Sequence, residues 1–282
     1  MADATIHLCD YHAPTSLDKM VIGIEHQKPS LPDEVEQRVK DNWDAFRKTR
    51  PTAADNDIAY LVSYDSGRHG ITAEVFTAEF RYNQYFNRDD KGMRDTETAN
   101  TNHFNPLASW IIAVSEDGYV LFGNKKDFGN KKVSGFGGFT SQQDIKKGQI
   151  DIKTHIARKL EEEMGDMAKA VEEVSFIGLN FYPLVGPKGF DGIYIAKLGG
   201  KAADLEKMFE SNAQFSKQLI PTEANPQGLL SFLHSLDWEP TRSCVGGVMT
   251  YLATSYGEKE LAKALKQYHG SERITNLHPQ GP

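Results

Sequence analysis

One stretch constrains this chain more than any other. A glycine pair, Gly137-Gly-Phe139, is followed by a loop and then by His155-Ile-Ala-Arg-Lys-Leu-Glu-Glu-Glu-Met-Gly165. Ile152, Ile156, Leu160 and Met164 recur at helical spacing, so an amphipathic helix closed by Gly165 is expected there. On it, Lys159, Glu162, Glu163 and Asp166 fall at i, i+3, i+4 and i+7 and share one face. Carboxylates so spaced repel by about a few tenths of a kcal/mol per pair unless a cation joins them. Hard divalent ions bind such oxygens together with waters and phosphate oxygens. Acids crowding one face behind a glycine turn therefore read as a metal–diphosphate site. The competing reading is a solvated acidic helix after an ordinary turn.

The surrounding chain supplies strands. Trp110-Ile-Ile-Ala-Val114 is a short apolar run of buried-strand type, Glu116-Asp-Gly118 is a tight turn, and Tyr119–Gly123 pairs back as a hairpin. Val174–Leu179 and Gly192–Leu198 are further strands, while 201–210 and 226–234 read as helical. Near the N-terminus, Pro32 and the following acids start a helix, with Val35, Val39, Trp43 and Phe46 as its buried stripe and Pro51 as its stop. Ile58–Tyr64 and Ile71–Phe76 form a strand pair, and the polar stretch 87–105 reads as a linker or loop. Val248, Leu252, Leu261 and Leu265 mark a helical tail. The expected division is an N-terminal α+β region over 1–105, a main unit over 106–236 and a C-terminal helical tail over 237–282 packed on the body. Strands interleaved with helices give an α/β or α+β sandwich.

Charge narrows the partners. Lys and Arg total 32 against 39 Asp and Glu, a net charge of −7, so the chain as a whole attracts neither nucleic acid nor anionic lipid. No apolar run approaches the roughly 20 residues that span a bilayer. The opening residues lack the character of a secretory signal, and Cys9 and Cys244 cannot form a disulfide framework. The expectation is a soluble, cytoplasmic protein without nucleic-acid or membrane partners.

Arg158-Lys-Leu-Glu-Glu-Glu-Met-Gly165 resembles the second half of the Nudix box, G-x5-E-x7-R-E-U-x-E-E-x-G-U, where U is aliphatic. Arg158, Leu160, Glu162, Glu163 and Gly165 fall on matching positions, with Gly138 as the leading glycine and Asp144 where the pattern has glutamate. The resemblance covers roughly 105–236. It implies a Nudix-like α/β/α sandwich with a mixed sheet, plus the smaller N-terminal α+β region, which resembles faintly the extension of a nucleotide-sugar-hydrolysing branch. The departures are specific. The Asp144-to-Arg158 spacing exceeds x7, which implies an inserted loop over 145–149, and choosing Asp151 instead leaves the helix side one residue short. Lys159 replaces the first glutamate of R-E-U-x-E-E, normally a metal ligand, and Asp166 replaces the final aliphatic residue.

The resemblance implies a hydrolase that cleaves a nucleoside diphosphate linked to another moiety (a nucleotide sugar, ADP-ribose or similar) by attack of water at phosphorus. Mg²⁺ or Mn²⁺ would bridge the phosphates. Glu162 and Glu163, helped by Asp166 or Asp144, are then the expected metal ligands, and Arg158 orients these carboxylates. Glu223 and Glu210 are candidate general bases. Gly137 and Gly138 allow close backbone approach to phosphate. Lys125, Lys126, Lys131 and Lys132 supply local positive charge, with Lys132 the substrate-binding candidate among them. Phe139 is the candidate stacking residue; Phe136, Phe181, Tyr182 and Phe190 are weighed against core roles. His155 reads as a packing residue and Trp43, Trp110 and Trp238 as core anchors. A homodimer is a further expectation from the family. Because Lys159 stands at a ligand position, the alternative is a non-catalytic Nudix-fold module that binds a nucleotide or regulates.

Overall fold

The computed structural model describes residues 4–24, 26–67, 70–88, 104–126, 132–182, 189–210, 212, 214–235, 237–268 and 272–276. The strands are β1 (Ala4–Ser16), β2 (Met20–Ile24), β3 (Asp57–Gly67), β4 (Gly70–Glu79), β5 (Leu107–Ser115), β6 (Tyr119–Lys125), β7 (Lys132–Ser134) and β8 (Phe136–Phe139). After these come β9 (Ile145–Lys146), β10 (Gln149–Ile150), β11 (Val171–Tyr182), β12 (Gly189–Leu198), β13 (Phe215–Glu223), β14 (Glu239–Pro240) and β15 (Glu272–Asn276). The helices are α1 (Asp33–Thr49), α2 (Phe80–Arg88), α3 (Ile152–Met164), α4 (Ala202–Met208), α5 (Pro226–Leu233), α6 (Arg242–Tyr256) and α7 (Glu258–Gln267).

Two mixed sheets organise these elements. The larger runs β14-β7-β6-β5-β12-β11-β1-β15, with β13 added to β6 and β8 added to β5; the smaller runs β3-β4-β2-β10-β9. Parallel pairing of β5 with β12 puts Trp110 beside Ile193 and Ile112 beside Ile195. Alternation along β5 sends Ile111 and Ala113 into one core and Trp110 and Ile112 into the other, as the two-residue period of a strand requires. The first core holds Ile156, Leu160 and Met164 of α3 together with Ile22, Leu61 and Val75 of the smaller sheet. The second holds Leu229, Val248, Leu252 and Leu261 from α5, α6 and α7. Helices thus cover both faces of the larger sheet, giving the mixed α/β sandwich that the order of elements leads one to expect.

Three features of the strand layout go beyond the sequence reading. The glycine pair lies within a strand: Gly137 and Gly138 of β8 stand opposite Trp110 and Ser109 of β5. The long spacing before Arg158 is filled by the hairpin β9–β10, whose turn has Lys147 and Gly148 at φ 53° and 76° and whose second strand pairs with β2. Finally, the sheets exchange strands across residue 105. β1 pairs with β11 of the larger sheet, whereas β9 and β10 extend the smaller one, so a cut at 105 does not separate two sheets. Most of the expected linker at 87–105, and Lys131, lie outside the described residues. Among the described residues no helix is long and apolar enough to cross a membrane.

Candidate functional site

The site is built where β8 meets α3. Asp151 caps α3, its carboxylate accepting from the Thr154 amide at 3.1 Å, and Gly165 ends it at φ 57°. The cap also pairs with Lys146 at 2.6 Å, so Asp151 is not the residue that meets Arg158. Asp144 is. Arg158 reaches back from α3 and donates to both oxygens of Asp144, Nε at 2.9 Å and Nη2 at 2.7 Å. This bidentate pair sits on a carboxylate with no exposed surface, so its geometry has to offset a large desolvation cost. Burial works against the charge of Asp144, yet the hydrogen bonds from His155 and Arg158 outweigh it and hold the carboxyl well below the usual range.

His155 completes a buried chain of contacts. Its Nδ1 lies 2.9 Å from Asp144 and its Nε2 3.0 Å from the Ser109 hydroxyl of β5. Ser109 Oγ is in turn 3.3 Å from the Gly138 amide. Burial lowers the His155 pKa, with Asp144 opposing only in part, so the ring is neutral at pH 7 and donates from Nδ1 to Asp144. The network ties the sheet, the glycine strand and the helix together.

Glycine strand, acidic turn and box helix therefore occur in the order that the resemblance implies, and the Arg158–Asp144 contact, which was not expected, ties the last two together. Among solved structures, the chain is similar to a pyrophosphohydrolase from Bacillus subtilis (14% identity, 61% of this chain and 87% of that one, TM-score 0.32). It is similar also to a hydrolase of the NUDIX family from Clostridium perfringens (11% identity, 56% and 97% covered, TM-score 0.31) and to a MutT protein from Methanosarcina mazei (12%, 55% and 96%, TM-score 0.32). No protein-family model matches the sequence, and no curated protein matches it significantly. Likeness at this level says nothing by itself about activity, which has to be argued from the side chains.

Nudix hydrolases in general work with a divalent metal, so the expected ligands can be tested for fit. Glu162 is already engaged by two cations, Arg158 Nη1 at 2.7 Å and Lys159 Nζ at 3.0 Å. Burial opposes its charge, but these partners prevail and hold its pKa below the ordinary value. Glu163 is 1% exposed and takes the Gly137 amide on Oε2 at 2.6 Å, while its Oε1 has no hydrogen-bond partner among the described residues. Burial pushes its pKa up to about 7. Asp166 lies beyond the end of α3, exposed and paired with Lys169 at 2.6 Å. Among the described residues no group of three or more His, Cys, Asp or Glu side chains stands together as metal ligands. The donor set does not fit a resident divalent ion: Glu162 is taken up by two cations, and a 13% exposed ammonium stands where the Nudix pattern has a further carboxylate.

Gly138 joins this cluster to a cavity. A Cβ placed on Gly138 would lie 3.3 Å from both Cε and Nζ of Lys159, and one on Gly137 would meet the Ser109 carbonyl oxygen at 2.3 Å. With φ at 157° and 130°, both positions call for glycine. The cavity beside them encloses about 270 Å³ and is lined by these glycines, Phe139, Phe190, Lys125 and Arg242, among others. Lys125 is close enough to act on the charge of both Glu163 and Asp191.

Other expected site residues lie elsewhere. Lys132, on β7 beside the edge strand β14, pairs with Glu239 at 3.2 Å. Glu223 ends β13 opposite Tyr119, exposed, its Oε2 accepting from Asn225 at 2.9 Å. Neither lines the cavity. Phe136 and Cys244 are core residues, whereas Phe181 stacks on Phe190 at 4.5 Å. Ser109, Asp191 and Arg242 were not singled out from sequence. His155 was noticed, but its packing role proves to be a polar one. A serine in an apolar strand and an aspartate between Phe190 and Gly192 offer no periodic signal, and only the pairing of β5, β8 and β12 brings them near α3 or the cavity.

Proposed function

We propose that this chain binds a small molecule in which a nucleoside diphosphate is linked to another moiety, and holds it without metal-dependent hydrolysis. The observation that carries the reading is the Lys159 ammonium, fixed between Glu162 and Gly138 at a position where the Nudix pattern supplies a metal-ligating carboxylate. A lysine there offers phosphate an ammonium, while Lys125 and Arg242 add two more cationic groups at the adjoining cavity. Phe139 and Phe190 provide flat apolar surface for a base.

Calorimetry with nucleotide sugars, ADP-ribose and dinucleoside polyphosphates tests this, run in EDTA and again with Mg²⁺ or Mn²⁺. Binding of at least one compound that persists in EDTA, with no cleavage to phosphomonoesters in either buffer, is the expected result. Binding that appears only with metal, or turnover of any compound, refutes it. Lys159→Glu is expected to introduce Mn²⁺ binding that the parent chain lacks. Hydrolysis is the second reading, favoured by one observation: a buried Glu163 with a pKa near 7 is suited to accept a proton from water at neutral pH. In that case Glu163→Gln abolishes the turnover.

A further inference from the structure

The aromatic side of the cavity leans on the N-terminal unit. Phe139 lines the cavity at the end of β8, and its ring packs on Phe80 with 5.8 Å between centroids. Phe80 opens α2 and meets Trp43 of α1 edge to face at 6.3 Å, with Phe46 stacked on Trp43 at 5.4 Å. The backbone fixes Phe80 in turn. Its amide donates to the Asn56 carbonyl at 3.0 Å, and the next amide, that of Arg81, donates to Asp55 at 2.8 Å. Phe80 and Phe139 both remain partly exposed and pack against the aromatic core of Tyr60, Phe76 and Phe104. A ring on the cavity wall is therefore carried by a ladder of rings from α1 and α2.

Strand β3 of the same unit reaches the chain beside two cavity rings. Ile58 bridges to Ser141, just past Phe139, and Tyr60 bridges to Pro106, just before β5. The Ala59 amide donates to the Thr140 carbonyl at 3.4 Å and the Leu61 amide to that of Asn105 at 3.0 Å. Pro106 itself lines the cavity, and its carbonyl accepts from the Phe190 amide at 2.8 Å. A partly exposed ring free to change rotamer has to be ordered when a ligand stacks on it, which weakens binding. Packing on a fixed aromatic neighbour removes that loss before the ligand arrives, and adds ring–ring attraction that an aliphatic neighbour lacks. We infer that Phe80 is a positioning residue that holds Phe139 for stacking with the ligand's base, so that the N-terminal unit is part of the binding site. This rests on the binding function proposed above and gives the residues before 105 a role in it.

ADP, UDP and inorganic diphosphate, titrated calorimetrically into the full chain in EDTA, separate the ring wall from the phosphate contacts. At least one nucleotide should bind the parent chain more tightly than diphosphate does. Phe80→Leu should weaken that nucleotide about three- to tenfold, the range set by ordering one side chain, and leave diphosphate within about twofold. Phe80→Tyr, which keeps the ring, should restore the parent ratio. Circular dichroism identifies a variant that fails to fold, and Phe80→Met then replaces the leucine variant. Equal weakening of nucleotide and diphosphate marks a merely structural role and overturns the inference. An unchanged ratio in the folded variant, a loss that persists with tyrosine, or a parent chain that prefers neither nucleotide to diphosphate overturns it as well. If the linked compounds of the earlier test still bind in EDTA, only the bracing by Phe80 is lost; if they also fail, the binding function falls with it.

Discussion

Replacing Glu163 by glutamine isolates the cost of keeping that carboxyl in the core. The side chain is 1% exposed, and burial raises its pKa from 4.5 to about 7 against the weaker opposing pull of the Gly137 amide, Lys125 and Lys159. The folded value lies above the unfolded one, so between about 4.5 and 7 the folded chain keeps a proton that the unfolded chain has released. Stability from this group is therefore complete below about 4.5 and is lost as pH rises through about 7. A difference of that size corresponds to about 3 kcal/mol once both states are ionised. Glutamine keeps the shape and can accept the Gly137 amide, but it does not titrate. Urea unfolding followed by tryptophan fluorescence, from pH 5 to pH 8.5, reads the comparison directly. The variant should gain on the parent chain by about 2.5 kcal/mol across that range, most of the full difference, because every other titrating group is common to both. Stability curves that run parallel would refute the assignment of Glu163 as the buried, proton-retaining carboxyl.

Arg158→Met should destabilise the fold by about 3 kcal/mol, since it leaves the Asp144 carboxylate buried with only the neutral partners His155 and Ser141; the same urea titration measures it. Adding Asp144→Asn to that variant should recover part of the loss by removing the uncompensated charge. Gly137→Ala should cost more than about 2 kcal/mol or prevent folding, because its Cβ would stand 2.3 Å from a backbone oxygen. Gly148→Ala, in open space at φ 76°, should cost only about 1 kcal/mol, and thermal melts of the two rank them.

The elements legible in the sequence were those whose period repeats. Ile152, Ile156, Leu160 and Met164 mark α3 because the stripe runs the whole length of the helix, and Gly165 ends it where expected. Trp110 to Val114 gives β5 by its unbroken apolar run. β1 and β13 escaped because their polar and apolar residues do not alternate cleanly: Ala13-Pro-Thr-Ser16 sits in the first, and Pro221 in the second. Gly137 and Gly138 suggested a turn because glycine lacks a side chain with strand preference, whereas their neighbours in β5 supply the pairing. Within the site, the motif spacing led to Arg158, Glu162 and Glu163, and Lys159 could be recognised as a misfit. That its ammonium would clamp Glu162 and touch Gly138 could not be read, since it depends on where β8 passes.

The strand at the beginning of the described chain runs parallel to the one at its end, Ile6 beside Ile274, with β1 held between β11 and β15. That pairing joins segments far apart in sequence, a contact that loop-closure entropy makes slow to form. Until it forms, the β1 edge of the larger sheet lacks its neighbour, and an unpaired edge is a template for pairing with another chain.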